Sequence, residues 1–183
     1  MITVPLPLRP DLSSLSPDEA VTALYATDWR RLVRLSTLLV HDQGIAEEIT
    51  QEAFIELHKR WRRLRDPDGA PAYLRQAVVN RSRSALRHRK VVEQYAARQQ
   101  PPANMPDAST GAEAAERHRV VRDALRTLPR RQREVLALRY YLDLSEADIA
   151  ETLGISAGAV KSHASRGSAA LRLALVDQLE ELR

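Results

Sequence analysis

The chain has 183 residues, a formal net charge of +4 and no cysteine, and only 4% of its residues are aromatic. That excludes a disulfide framework, thiolate zinc sites and thiol redox chemistry, and it favours small aliphatic cores between helices over a broad sandwich core. A sequence pI near 9.7 points to locally clustered base, no apolar run reaches membrane-span length, and MITVPLPLRPDLSS lacks the pattern of a secretory signal, so a cytoplasmic nucleic-acid binder is the expectation.

Residues 1–15 form a proline-rich N-terminal extension. Ser16-Pro17-Asp18-Glu19 then starts a helix, with a serine cap, proline at the first helical position and glutamate three residues after the cap. Val21, Leu24, Tyr25, Leu32, Leu35 and Leu39 recur at helical spacing until His41-Asp42-Gln43-Gly44 breaks the pattern. A second helix carries Ile45, Ile49, Ala53, Leu57 and Trp61 on one face, and Asp66-Pro67-Asp68-Gly69 is a turn. Pro71 opens a third helix running to about Lys90.

Composition shifts after that. Residues 93–116 read as a flexible acidic linker, with Pro101, Pro102, Pro106 and Gly111 and no basic residue between Gln99 and Ala115. Helices then resume: Val121, Leu125 and Leu128 share a face, Pro129 starts a helix through Tyr141, and two short helices follow. Nothing alternates with period two. The fold class is all-α: two small helical domains, 16–92 and 117–183, joined by a flexible tether.

The sharpest local signal runs from Glu146 to Ala164, where Ile149, Ala150, Leu153, Gly154, Ile155 and Val160 occupy the positions a helix-turn-helix requires. Ala150 must be small where the second helix crosses, Gly154 allows the turn conformation that a Cβ opposes, and Ser156 can cap the second helix. On a helical wheel Val160, Ala164, Gly167 and Leu171 face inward. Gly158, Lys161, Ser162, Ser165 and Ala169 face outward, flanked by Arg166 and Arg172. That small, polar, basic face suits a major groove, and the bland reading is a solvated helical hairpin.

In the third helix Gln76, Asn80, Arg83 and Arg87 form one stripe, opposite Leu74, Val78 and Ala85. Amides can bond base edges and guanidiniums can hold phosphates, although a plain solvated face has the same composition. In the second helix Glu48, Glu52 and Glu56 recur every four residues, with Lys59, Arg60, Arg62 and Arg63 at its end. The helix dipole explains part of that asymmetry, and a basic partner surface is the second reading.

These segments resemble the extracytoplasmic-function sigma factors of bacterial RNA polymerase. AEEITQEAFIELHKRW is similar to the family's polymerase-binding helix and PAYLRQAVVNRSRSALR to its −10 recognition helix. LPRRQREVLALRYYLDLSEADIAETLGISAGAVKSHASRGSAALR is similar throughout to its −35 domain. The likeness covers about Ala23 to Lys90 and Arg119 to Arg172. Two departures stand out: Ala164 replaces a residue that is often bulky, and the SHASRG run carries fewer basic side chains than is common.

The resemblance implies a transcription initiation factor with no catalytic residues, cofactor or metal. Asp42, Glu48, Gln51, Glu52 and Glu56 should grip the clamp helices of the largest polymerase subunit, and the C-terminal domain should meet the flap. Gln76, Asn80, Arg83 and Arg87 should contact the −10 element. The turn from Leu64 to Pro71, together with Asn80, should capture an unstacked base there. Ser156, Gly158, Lys161, Ser162, Ser165 and Arg166 should read the −35 element as duplex. The linker should thread toward the RNA exit path, and an anti-sigma factor is a further expected partner.

Two other classes are weighed against this. An enzyme lacks support: there is no phosphate loop and no HExxH, and His41, His58, His88, His118 and His163 are scattered without ligand spacing. A conventional two-domain regulator would explain the helix-turn-helix alone. It would not explain a second DNA-suited helix in the other domain.

Overall fold

The computed structural model describes residues 12–64, 66–96 and 112–181, and every regular element among them is helical. Helix α1 (Pro17–Val40) begins on a full capping box: the Ser16 hydroxyl accepts from the Glu19 N–H, and the Glu19 carboxylate accepts from the Ser16 N–H at 2.9 Å. It ends at His41, which takes the left-handed conformation at φ 61° and donates its N–H to the Thr37 carbonyl at 2.8 Å. Asp42 then caps α2 (Gln43–Arg60), its Oδ1 accepting from the Ile45 N–H at 2.9 Å. So short a connection lays α2 back along α1. Ile49, Ala53 and Leu57 are buried, as is Trp61 in the turn of 3₁₀ helix that follows.

Helix α3 (Ala70–Ala96) packs against both, burying Leu74, Val78 and Val79. The Ser36 and Ser82 hydroxyls satisfy each other at 3.1 Å inside the α1–α3 contact. This helix does not stop near Lys90 but continues six residues to Ala96. The apolar pattern fades there, but neither Gly nor Pro breaks the backbone.

Helix α4 (Ala112–Thr127) starts inside the stretch read as linker, while residues 97–111 of that stretch and 1–11 of the extension lie outside the described residues. The helix expected from Pro129 to Tyr141 is α5 (Arg130–Leu136) followed by a π-helical turn, Ala137–Tyr141. Helix α6 (Glu146–Leu153) is short, but α7 (Ala157–Glu181) is one 25-residue helix rather than a second short one. Two apolar readings also change: Val121 is exposed while Leu125 and Leu128 are buried, and Tyr25 is 48% exposed, stacked on Trp29 at 4.7 Å.

The two helical units are not held apart. Most of their buried residues form one continuous core, with α3 against α6 and α1 against the Ala137–Tyr141 turn, while Leu125, Leu128 and Leu136 form a smaller cluster. Polar contacts tie the same seam. Arg83 on α3 clamps Glu134 on α5 with two hydrogen bonds of 2.8 and 2.9 Å. Arg133 donates to the Leu39 carbonyl at 3.1 Å and to the His41 Nε2.

That last contact has a pH signature. Burial pushes the His41 pKa down to about 3, and the charges of Arg133, Arg126, Arg122 and Arg89 act in the same direction. The folded pKa lies below the unfolded value, so the unfolded chain binds the extra proton between them. Stability is therefore full above about pH 6.5 and falls as pH drops toward the folded value. His41→Asn keeps a residue that tolerates the left-handed backbone and removes the titration. Its melting temperature should fall less than that of the unsubstituted protein between about pH 7 and pH 5. Equal slopes would show that another group carries the acid sensitivity.

Candidate nucleic-acid interface

The helix-turn-helix is built as its spacing requires. Ser145 caps α6, its hydroxyl accepting from the Asp148 N–H at 3.1 Å. Gly154 ends α6 in the left-handed conformation at φ 64°, where a side chain is strained whatever the space around it. Ser156 then accepts from the Ala159 N–H at 3.2 Å and starts α7. Val160, Ala164 and Gly167 face inward and are buried. A Cβ at Gly167 would stand 3.1 Å from the Gln132 Cβ and 3.2 Å from Leu136, so the glycine is what lets α7 lie on α5.

Gly158, Lys161, Ser165, Arg166 and Ala169 are exposed, and Ser162 is half-buried. Arg166 donates back to the Ser162 hydroxyl. Lys161 lies 3.7 Å from Glu146 at the start of α6, an exposed pair that costs little to exchange for a phosphate. Beside them is a shallow groove of about 260 Å³ lined by Arg139, Tyr140, Glu146, Lys161, Ala164, Ser165 and Ser168. Small side chains on this face bring the backbone of α7 close to anything that docks, and the arginines and lysine can neutralise phosphates at its rim.

On α3, Gln76, Asn80 and Arg87 are exposed on one stripe. Arg83, the fourth member, is only 15% exposed because it reaches Glu134. Glu134 is 2% exposed and is further held by Arg131 at 3.1 Å and Arg130 at 3.7 Å. Arg83 also donates to the Asn80 Oδ1 at 3.1 Å. In this arrangement the exposed stripe of α3 is two amides and Arg87, with Arg83 held at the seam between the two units.

The turn before α3 is shaped by Asp66, whose Oδ1 accepts from the Asp68 N–H at 3.0 Å. Asp68 itself is exposed and can accept from an exocyclic amine of an unpaired base. Asn80 follows Ala70 by ten residues, about 15 Å of helical rise. Leu12, at the end of the N-terminal extension, is buried beside this turn and props it; a lone leucine after prolines gave no signal of that.

On α2, Glu48, Gln51 and Glu52 are exposed and Glu56 half-buried. Asp42 is the α2 cap, a structural duty that the sequence pattern also permits. Glu52 and Glu56 both accept from Arg81 on α3, the latter at 2.7 Å, and Arg60 lies 2.9 Å from Glu56. The hydrogen bond from Arg81, with the charge of Arg60 and the Tyr73 hydroxyl, holds the Glu56 carboxyl below its usual range. Pairs separated by 25 and 29 residues have no periodicity to betray them, which is why Arg81 escaped the sequence analysis. Among the described residues no group of three His, Asp or Glu side chains is placed to hold a metal.

Comparison with known proteins bears on both surfaces. A family model described as Sigma-70 region 2 matches residues 24–91, and one described as Sigma-70, region 4 matches residues 118–171. The RNA polymerase sigma-E factor of Streptomyces coelicolor is 36% identical over 145 residues, an alignment covering 79% of this chain and 80% of that protein. Its counterpart in Streptomyces avermitilis is 35% identical over 144 residues, covering 77% and 76%. In fold, the chain resembles the sigma factor RpoE of Bartonella quintana, solved in complex with the anti-sigma factor NepR. The TM-score is 0.70 at 21% identity, covering 84% of this chain and 95% of that one.

Proposed function

The chain belongs to the extracytoplasmic-function group of the sigma-70 family of RNA polymerase sigma factors, and from that membership we propose how its two helical units divide the work of initiation. The unit built from α1, α2 and α3 holds core polymerase through Glu48, Gln51, Glu52 and Glu56. It meets the opened −10 strand with the Pro67–Gly69 turn and with Gln76, Asn80 and Arg87. The unit built from α4 to α7 reads the −35 element as duplex through Ser156, Gly158, Lys161, Ser162, Ser165 and Arg166. Its function is promoter selection and promoter opening, with no covalent chemistry of its own.

One observation carries this reading: two separate helices, α3 and α7, each present an exposed face of amide, hydroxyl or glycine flanked by base, on two units of one chain. A repressor needs only the second. In the docked arrangement Arg83 is committed to Glu134, so full engagement of the −10 strand requires the units to part. Polymerase supplies two distant docking points that can hold them apart. No described helix is long and apolar enough to cross a membrane, and the site of action is the cytoplasm, where polymerase works. An anti-sigma factor that grips both units, as expected for a relative of proteins solved with one, would hold the opposite state.

The test is run-off transcription with purified core polymerase on a promoter library, alongside binding to the selected promoters without polymerase. Transcription that depends on the protein, with weak binding of the isolated chain, is the expected pair of results. Tight operator-like binding without polymerase would support the repressor instead. Within the same assay, Glu48→Lys should weaken core association, most at low salt where charges are least screened, while helix content by circular dichroism stays the same.

A further inference from the structure

Arg81 belongs to neither stripe, yet it joins them. It lies about 100° around α3 from Asn80, on the side that faces α2, and its guanidinium donates to both Glu52 and Glu56. Structural glue does not account for it, because α2 and α3 are already packed through the fully buried Leu57, Leu74 and Val78. Solvent reaches both ion pairs: Glu52 is 61% exposed, and Arg81 and Glu56 are half-buried at 32% and 31%. Pairs of that kind contribute little and exchange readily. Two carboxylates one helical turn apart also repel, and Arg81 is the cation that bridges both in the free protein, with Arg60 on Glu56 alone.

A basic partner surface seated on Glu52 and Glu56 competes with Arg81 for the same oxygens. When it wins, Arg81 is left as an unpaired cation on the helix that carries Asn80. Its neighbours Ser84 and Arg87 already bond each other at 3.0 Å at the edge of the DNA-facing stripe. A guanidinium released there has a phosphate as its natural new partner. We propose that Arg81 is an exchangeable counter-ion that couples polymerase binding to promoter binding: docking on the acidic stripe of α2 frees it to hold a phosphate of the −10 strand beside α3. The inference rests on the reading of Glu48, Glu52 and Glu56 as the polymerase-facing surface. By linkage, DNA that takes up Arg81 must tighten polymerase binding by the same factor.

The experiment measures two quantities for Arg81→Gln: the Kd of the full-length protein for core polymerase, and the salt dependence of promoter binding by the holoenzyme. Removing the internal competitor should tighten core binding by about twofold to fivefold, the worth of an exposed ion pair. Losing one phosphate contact should lower the promoter salt slope by about one. Arg81→Lys should restore most of both. Weaker core binding with a lower melting temperature would mean that Arg81 merely fixes α3 on α2, and the proposal falls. Unchanged core affinity, or an unchanged salt slope, also overturns it.

Glu48 keeps the two readings distinguishable, since among the described residues it makes no ion pair with Arg81 or any other base. If Glu48→Lys weakens core binding and Arg81→Gln moves nothing, only the coupling is wrong. If Glu48→Lys also leaves core binding untouched, the polymerase-facing assignment fails and takes the coupling with it.

Discussion

Ile149→Ala should lower the unfolding free energy by about 2–5 kcal/mol, the usual cost of removing a large aliphatic side chain from a close-packed site. Ile149 is fully buried on α6 and belongs to the same cluster as Leu138, Leu153 and Val160, which fix the angle at which α7 leaves the turn. A domain of this size has only about 5–15 kcal/mol to lose. The loss should also be local in its functional consequence. Transcription from promoters that need a −35 element should collapse, while core association through α2 survives. Chemical denaturation and run-off assays on promoters with intact and scrambled −35 elements check both parts. Stability equal to that of the unsubstituted protein would mean that α7 is not seated on Ile149, and the geometry assigned to the recognition face would be wrong.

The elements that could be read from the chain are those whose signals are local. Ser16 with Glu19, Gly154 and Ser156 each act on backbone groups within four residues, and each does in the structure what its spacing implies. The recognition wheel was legible for the same reason, down to the buried Gly167. What could not be read depends on distant partners. Arg83 looks like a member of a polar stripe until Glu134, 51 residues on, claims it. Arg81 looks like surface base until Glu52 and Glu56 are brought beside it. The docking of the two units hangs on such pairs and on a shared apolar seam, neither of which has a period. The length of α7 was missed because the helix-turn-helix pattern ends near Ala164. Beyond it only good helix formers follow, with nothing to mark a stop. Tyr25 fell on the apolar face by count alone, and stacking on Trp29 keeps it at the rim.

Promoter opening separates a sigma factor from every other DNA-binding protein, and Asn80 is the residue on which it can be tested. Its Oδ1 accepts from Arg83, and its side-chain amide, on an exposed residue, can also donate. If the units part on polymerase as proposed, Arg83 leaves Glu134, and the amide and the guanidinium can present a joint edge to the strand. The Watson–Crick edge of a base is hidden in duplex, so this contact forms only as the base leaves the stack. Asn80→Ala should therefore leave core binding and −35 binding unchanged and lower the yield of open complex. A contact of this kind contributes about 1–3 kcal/mol, so the equilibrium constant for opening should fall by about 5-fold to 150-fold. A preformed mismatch bubble at the −10 element should recover part of the loss, because the cost of unpairing has been removed beforehand. Part should persist, because the base contact is still missing. Permanganate footprinting on duplex and bubble templates reads both. The Pro67–Gly69 turn, which leads directly into the helix that carries Asn80, adds a sharper condition. If the two touch different nucleotides, the losses from Asn80→Ala and Asp68→Ala should add within a few tenths of a kcal/mol. A strongly non-additive double variant would put both side chains on one base. Opening of the duplex promoter by Asn80→Ala at the unsubstituted level would remove Asn80 from strand capture altogether.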